Sequence, residues 1–223
     1  DQVKASDFFE LTEEEIKDTK VHFATGDGNN EEALIEFLKG GFKDWQEWQG
    51  LKNFPRKYIL SLIHLNPAEW LFGGIYEVLG CEQKEDSKGS HYKYSTRLTN
   101  KGEEWMGRLI IKYKKKFRIS YAFCEKYISD FEILELRRSR YEIMEFPGYE
   151  NVNVDFEVLK LIIESSNRNW KSALSNVQGV YLITDQSNGK LYVGSAYGED
   201  NFWQRWSEYI KTGHGYNKEF KKL

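Results

Sequence analysis

Apolar and polar residues change their spacing several times along the chain. Up to about residue 52 the period is helical. Thr12 followed by Glu13, Glu14 and Glu15 reads as a helix start, with acidic groups in the first turn. Over residues 30–40, Asn30 is placed to cap, Leu34, Phe37 and Leu38 share one face, and Gly40 is placed to end the turn. Residues 42–49 predict another short helix, carrying Trp45 and Trp48. From about Arg56 the pattern shortens to strand-like runs at residues 58–65, 70–79, 91–98, 109–113, 117–123 and 131–136. Five or six short strands with little helix between them predict a small curved sheet or barrel.

Helical spacing then returns. Asp155 is placed to cap a helix whose Val158, Leu159, Ile162 and Ile163 face one way, and residues 167–173 predict a second helix with Trp170 as its packing residue. Two β-branched and aromatic runs next flank Asn188-Gly189, a pair suited to a tight hairpin turn. Residues 200–211 close the pattern as an amphipathic helix with Trp203 and Trp206. The expected class is α+β: N-terminal helices and a curved sheet over residues 1–150, a helical connector over 151–178, and a hairpin-led segment over 179–223.

Composition narrows this picture. Of the 223 residues 40% are hydrophobic and 16% aromatic, which fits packed domains and not a disordered chain. No apolar run is long enough to span a bilayer, and the first six residues lack the apolar core of a signal peptide. Cys81 and Cys124 lack metal-ligand spacing and read as free buried thiols of a reducing, cytoplasmic compartment. His22, His64, His91 and His214 form no ligand cluster either. The net charge of −3 hides an asymmetry: residues 1–40 carry −7 and the remainder +4. That balance permits a nucleic-acid partner without requiring one. Two basic runs could touch phosphates: Lys114, Lys115, Lys116 and Arg118 between aromatics, and Arg137 with Arg138. Lysines that keep an exposed strand soluble would look the same. Trp45, Trp48, Trp70, Phe72 and Tyr76 read as core or as a base-gripping pocket.

The chemistry concentrates near the end of the chain. Gly179-Val180-Tyr181 is followed by Tyr192-Val193-Gly194 on the paired strand, and then by Arg205 on a helix. Two such tripeptides about ten residues apart on a hairpin, then a helix bearing arginine, resemble the GIY-YIG nuclease family. Gly74-Ile75-Tyr76 matches one tripeptide literally, but no Tyr-x-Gly follows it at the right distance, so it reads as a strand. The resemblance implies metal-dependent hydrolysis of DNA phosphodiesters, as in a restriction or repair endonuclease. It gives Tyr181 the role of base or relay at the attacking water, makes Tyr192 an orienting hydroxyl, and sets Arg205 against charge on the scissile phosphate. Lys190 and His214 become phosphate contacts. The family holds one Mg2+ or Mn2+ through a glutamate on a later helix. Glu199, Glu208 and Glu219 do not occupy that place, so no metal ligand is expected in these residues and little or no cutting by them. The middle region, about residues 40–145, resembles the PUA-like barrels, a group that includes EVE and SRA readers of modified bases. That likeness implies a DNA-recognition module, with RNA the weaker alternative. It also keeps open a second reading, a modified-base binding module without catalysis.

Overall fold

A computed structural model describes residues 4–26, 32–86 and 89–216 and divides the chain into two compact units, Asp1–Tyr141 and Glu142–Leu223. The division falls earlier than residue 150. The expected cap Asn30 lies outside the described residues, as does Glu219.

In the first unit, α1 (Ala5–Phe9) and α2 (Glu13–Lys17) precede β1 (Thr19–Ala24); α3 (Glu32–Lys39), α4 (Phe42–Glu47) and β2 (Trp48–Gln49) follow. Thr12 caps α2 as its sequence predicts, in a reciprocal box with Glu15. The remaining strands are β3 (Tyr58–Asn66), β4 (Glu69–Asp86), β5 (Gly89–Leu98), β6 (Leu109–Lys112), β7 (Tyr121–Phe123) and β8 (Glu132–Leu136). They pair in the order β2-β5-β4-β3-β1-β7, and β6 joins β4 to β8. Only β1 and β3 run parallel among these pairs. The class is mixed α+β. Among the described residues the ladder is open, because β7 pairs with β1 alone.

β1 corrects the helical reading of residues 1–52. Thr19, Val21 and Phe23 alternate and are all fully buried, while His22 and Ala24 bury the other face. A strand buried on both faces shows a nearly continuous apolar run, which hides its period. The same two-sidedness organises the unit. Phe23, Leu60, Trp70, Phe72, Leu109 and Ile111 form one core with Phe9 of α1. Ala24, Ile59, Leu71, Tyr76 and Ile110 form the other, under Leu34 and Phe42 of α3 and α4. Burying each large side chain contributes about 2–3 kcal/mol. Gly74, at φ +106°, sits at a bulge that shifts the β3–β4 register, so the literal Gly74-Ile75-Tyr76 tripeptide belongs to this sheet. Strand structure does not extend over residues 117–120. Cys81 is exposed, contrary to expectation, and Cys124 is buried; both thiols are free. No helix among the described residues is long and apolar enough to cross a membrane.

One buried group makes the first unit sensitive to acid. His22 is 2% exposed, stacked between Trp45 and Tyr121 at centroid distances of 6.0 and 5.1 Å. Its Nδ1–H donates to Gln46 Oε1 at 2.8 Å. Burial pulls its pKa down to about 4, Lys115 adds to the shift, and Gln46 opposes it. The unfolded chain therefore binds this proton more readily, so stability is complete above about pH 6.5 and drains away as pH falls toward 4. The loss amounts to about 3 kcal/mol at most. Urea midpoints across that range are expected to fall, and His22→Phe is expected to flatten the fall. An unchanged slope in the variant would remove His22 as the cause.

The second unit contains α5 (Phe156–Glu164), α6 (Arg168–Ser175), β9 (Gly179–Thr184), β10 (Leu191–Ala196) and α7 (Asn201–Thr212). The stretch expected to be a connector is part of its core. Ile162 and Ile163 of α5 and Trp170 and Leu174 of α6 pack with Trp203 of α7. Asn167 caps α6 through the amides of Asn169 and Trp170. Asp155 sits at the N-cap of α5 without a capping bond; its carboxylate accepts from Gln186 instead.

Candidate active site

The hairpin turn is wider than the Asn188-Gly189 pair suggests. Asp185 N–H donates to Lys190 O at 2.9 Å, closing a four-residue loop, and Gly189 N–H donates back to Asp185 O at 2.7 Å. Only Gly189 takes a positive φ there, +72°. Asp185 Oδ1 accepts from the amide and hydroxyl of Ser187, which organises the loop.

Strand alternation then divides the residues between two faces. Gly179, Tyr181 and Ile183 share a face with their partners Ala196, Gly194 and Tyr192. Phe202, Trp206 and Tyr209 of α7 pack on that face. On the other, Val180, Leu182, Leu191 and Val193 are 58% to 73% exposed.

The pairing of Tyr181 with Gly194 has a steric reason. A methyl group at 194 would stand 2.3 Å from Tyr181 Cζ and 2.4 Å from its hydroxyl. The ring therefore lies across β10 where only a hydrogen leaves room, and its hydroxyl reaches α7. Arg205 Nε donates to it at 3.0 Å. The same guanidinium donates to Glu208 Oε2 at 3.0 Å, Gly215 O at 2.7 Å and Tyr209 Oη at 3.3 Å. Tyr181 Oη donates to Tyr209 Oη at 3.3 Å, completing a tyrosine–arginine–tyrosine cluster.

Electrostatics fix the protonation of this cluster. Burial, helped by the Tyr209 hydrogen bond, pushes the Tyr181 phenol up to about 12 against the pull of Arg205. Tyr181 is thus a neutral donor near pH 7, and a base only after losing a proton it holds tightly. Beside the cluster opens a pocket of about 530 Å³, walled by Gly194, Ser195, Asn201, Gln204, Arg205 and Glu208.

Tyr181 and Arg205 are therefore brought together. Tyr192 shares their face but lies two residues along β10 from Gly194, roughly 7 Å by strand rise; neither tyrosine is in the pocket wall, which Arg205 alone of the three predicted catalytic residues lines. Lys190 is exposed at the loop end of the strand, roughly 13 Å from Gly194 on the same basis. His214 turns to its own segment, where Nδ1 accepts from the Tyr216 amide at 3.0 Å. Tyr209 and Glu208 went unpredicted as partners of Arg205. Their signal was helical spacing, since positions three and four beyond Arg205 share its face.

The basic runs belong to the first unit and differ among themselves. Lys114, Lys116, Arg118 and Arg138 are exposed. Lys115 is tethered: its ammonium donates to Ile119 O at 3.1 Å and lies over the Phe117 and Phe23 rings. Arg137 is half-buried against Tyr141. The five aromatics considered for a pocket are dispersed. Trp70 and Phe72 lie in one core and Tyr76 in the other, Trp45 stacks on His22, and Trp48 is 50% exposed.

Among the described residues no three His, Cys, Asp or Glu side chains gather as a metal site. Glu208, the carboxylate in the pocket wall, is ion-paired to Arg205 at 3.0 Å. These residues do not fit a divalent cation by themselves, since one neutralised carboxylate is too poor a donor set. Comparison of the chain with protein-family models, curated proteins and solved structures gave no match.

Proposed function

We propose that the hairpin and α7 form a phosphodiester-handling site and that its activity is endonucleolytic hydrolysis of DNA. The observation that carries this reading is the Tyr181–Arg205 contact at 3.0 Å, created by a glycine that has to be glycine, at the edge of an open pocket. A guanidinium held by four partners is pre-organised, so little reorganisation is needed when charge develops on a phosphate. Glu208 occupies one of its donor positions and is the group a phosphate oxygen would displace. Tyr181, protonated near neutrality, accepts from Arg205 and so holds the guanidinium in place; it donates to a phosphate oxygen or an attacking water only by giving up its bond to Tyr209.

The contrast is with a binding module that lacks catalysis, which the neutralised carboxylate favours. Supercoiled plasmid with Mg2+ or Mn2+, and a labelled duplex in a binding assay, separate the two. Under the nuclease reading only weak nicking is expected, because these residues supply too poor a donor set for the cation, and it disappears in Arg205→Ala and in Tyr181→Phe. Duplex affinity that falls in Arg205→Ala without any nicking supports the binding module. Affinity and plasmid integrity that ignore both substitutions overturn the site altogether.

A further inference from the structure

A second cluster of charge lies in the first unit, unrelated to the hairpin. Phe123 on β7 pairs with Lys20 on β1 at the edge of the sheet. Three cations crowd its ring: Lys20 Nζ at 3.9 Å from the centroid, Arg56 Cζ at 4.2 Å and Lys126 Nζ at 5.3 Å. One cation over an aromatic face is ordinary packing. Three repel one another unless anions intervene.

The anions present are already engaged. Glu125 grips Arg56 through both oxygens, at 2.6 and 2.9 Å. Asp18 Oδ1 accepts from the Lys57 amide at 3.1 Å. Neither Lys20 nor Lys126 makes an ion pair among the described residues. The strain shows in Lys20: burial and then the Arg56 charge hold its ammonium below the usual range, with Lys126 adding to this and Glu125 opposing it. Arg56 is meanwhile fixed in place, since it also donates to Thr19 O at 3.1 Å. The result is a rigid guanidinium flanked by two unpaired ammonium groups on the rim of the sheet.

We infer that Lys20, Arg56 and Lys126 form, around Phe123, a binding site for a phosphate group. A doubly charged oxyanion offers acceptors to all three cations, whereas a lone carboxylate is already supplied by Glu125. The site recognises phosphate itself, from a nucleic-acid backbone or from a free phosphate. It is separate from the two basic runs read from the sequence and does not depend on the hairpin being a nuclease.

The test compares the full chain with K20Q/K126Q and with the charge-keeping K20R/K126R. A labelled duplex is titrated over a salt series, and orthophosphate is titrated by calorimetry. Hydrogen exchange of the β1 amides checks that the sheet is unchanged in both variants. For a backbone phosphate, duplex affinity is expected to fall about tenfold in the glutamine pair and the salt slope by about one to two, with both kept in the arginine pair. For a free phosphate, the orthophosphate heat disappears in the glutamine pair while duplex affinity holds. The inference is overturned if the glutamine pair changes neither ligand's binding, or if the unmodified chain binds neither.

Discussion

Gly194→Ala is expected to dismantle the candidate site from a position that has no side chain. The new methyl would lie 2.3 Å from Tyr181 Cζ, well inside any tolerated distance, so the ring has to leave its place across β10. Overpacking of this kind costs about 1–3 kcal/mol, and the contact of Tyr181 with Arg205 goes with it. On the proposed nuclease reading, displacing the phenol and loosening the guanidinium should cost at least as much activity as Tyr181→Phe does. Two readouts do not depend on activity. The Tyr181 phenol, held up at about 12, should titrate closer to 10, followed by tyrosinate absorbance. Amide exchange along β9 should quicken. Gly189→Ala is the control: its φ of +72° strains an alanine, but nothing lies within 4 Å of the added carbon, so the site should survive. The decisive comparison is a double-mutant cycle. In a Tyr181→Ala background the clash has no target, so the added effect of Gly194→Ala should vanish, a coupling of about 2 kcal/mol. Additive effects would show that Gly194 serves the backbone and not the ring.

That steric pair also shows why part of the site was legible in the sequence. A glycine directly across a strand from a tyrosine is fixed by register, and register follows from the alternation that marks residues 179–184 and 191–196 as paired strands. Arg205 then falls above Tyr181 because α7 packs its aromatic face on the hairpin. The four-residue loop was not legible. Asn188-Gly189 signals a two-residue turn, and the competing choice depends on Asp185 accepting from Ser187 and Asn188, a set of local bonds that propensity does not rank. Nor was Tyr192 separable from Tyr181, since both share a face and only distance along the strand tells them apart.

In the first unit the long apolar strands and α2, α3 and α4 emerge from pattern alone. β1 does not, because its two buried faces erase the alternation. The Phe123 cluster is equally hidden. Lys20, Arg56 and Lys126 are far apart in the chain and meet only because β1 lies beside β7. A charge count by segment cannot find such a cluster, which depends on which strands neighbour each other.

Glu47→Ala is expected to be among the more damaging changes of a polar side chain in the first unit. Glu47 is 4% exposed at the end of α4. Its carboxylate accepts from Lys43 Nζ at 2.8 Å, Lys93 Nζ at 2.9 Å, and Thr96 N and Oγ1 at 2.7 and 2.9 Å. These bonds tie the helix to β5. Removing the carboxylate leaves the Thr96 amide unpaired and two lysines facing each other. Breaking a fully buried pair costs about 3–5 kcal/mol, but both lysines reach solvent, so about 2–4 kcal/mol is expected here. Glu47→Gln should cost less, since its amide oxygen still accepts from Thr96. Burial raises the Glu47 pKa, yet the hydrogen bonds from Lys43, Lys93 and Thr96 outweigh it and bring the group to about 2. The folded pKa lies below the unfolded one, so this stabilisation is complete above about pH 4.5 and is lost as pH falls toward 2. His22 loses its contribution at higher pH, between about 6.5 and 4. Acid unfolding followed by tryptophan fluorescence should therefore show two descents in stability. Glu47→Gln should erase the lower and leave the upper. If the lower descent persists in that variant, another carboxylate holds α4 to the sheet.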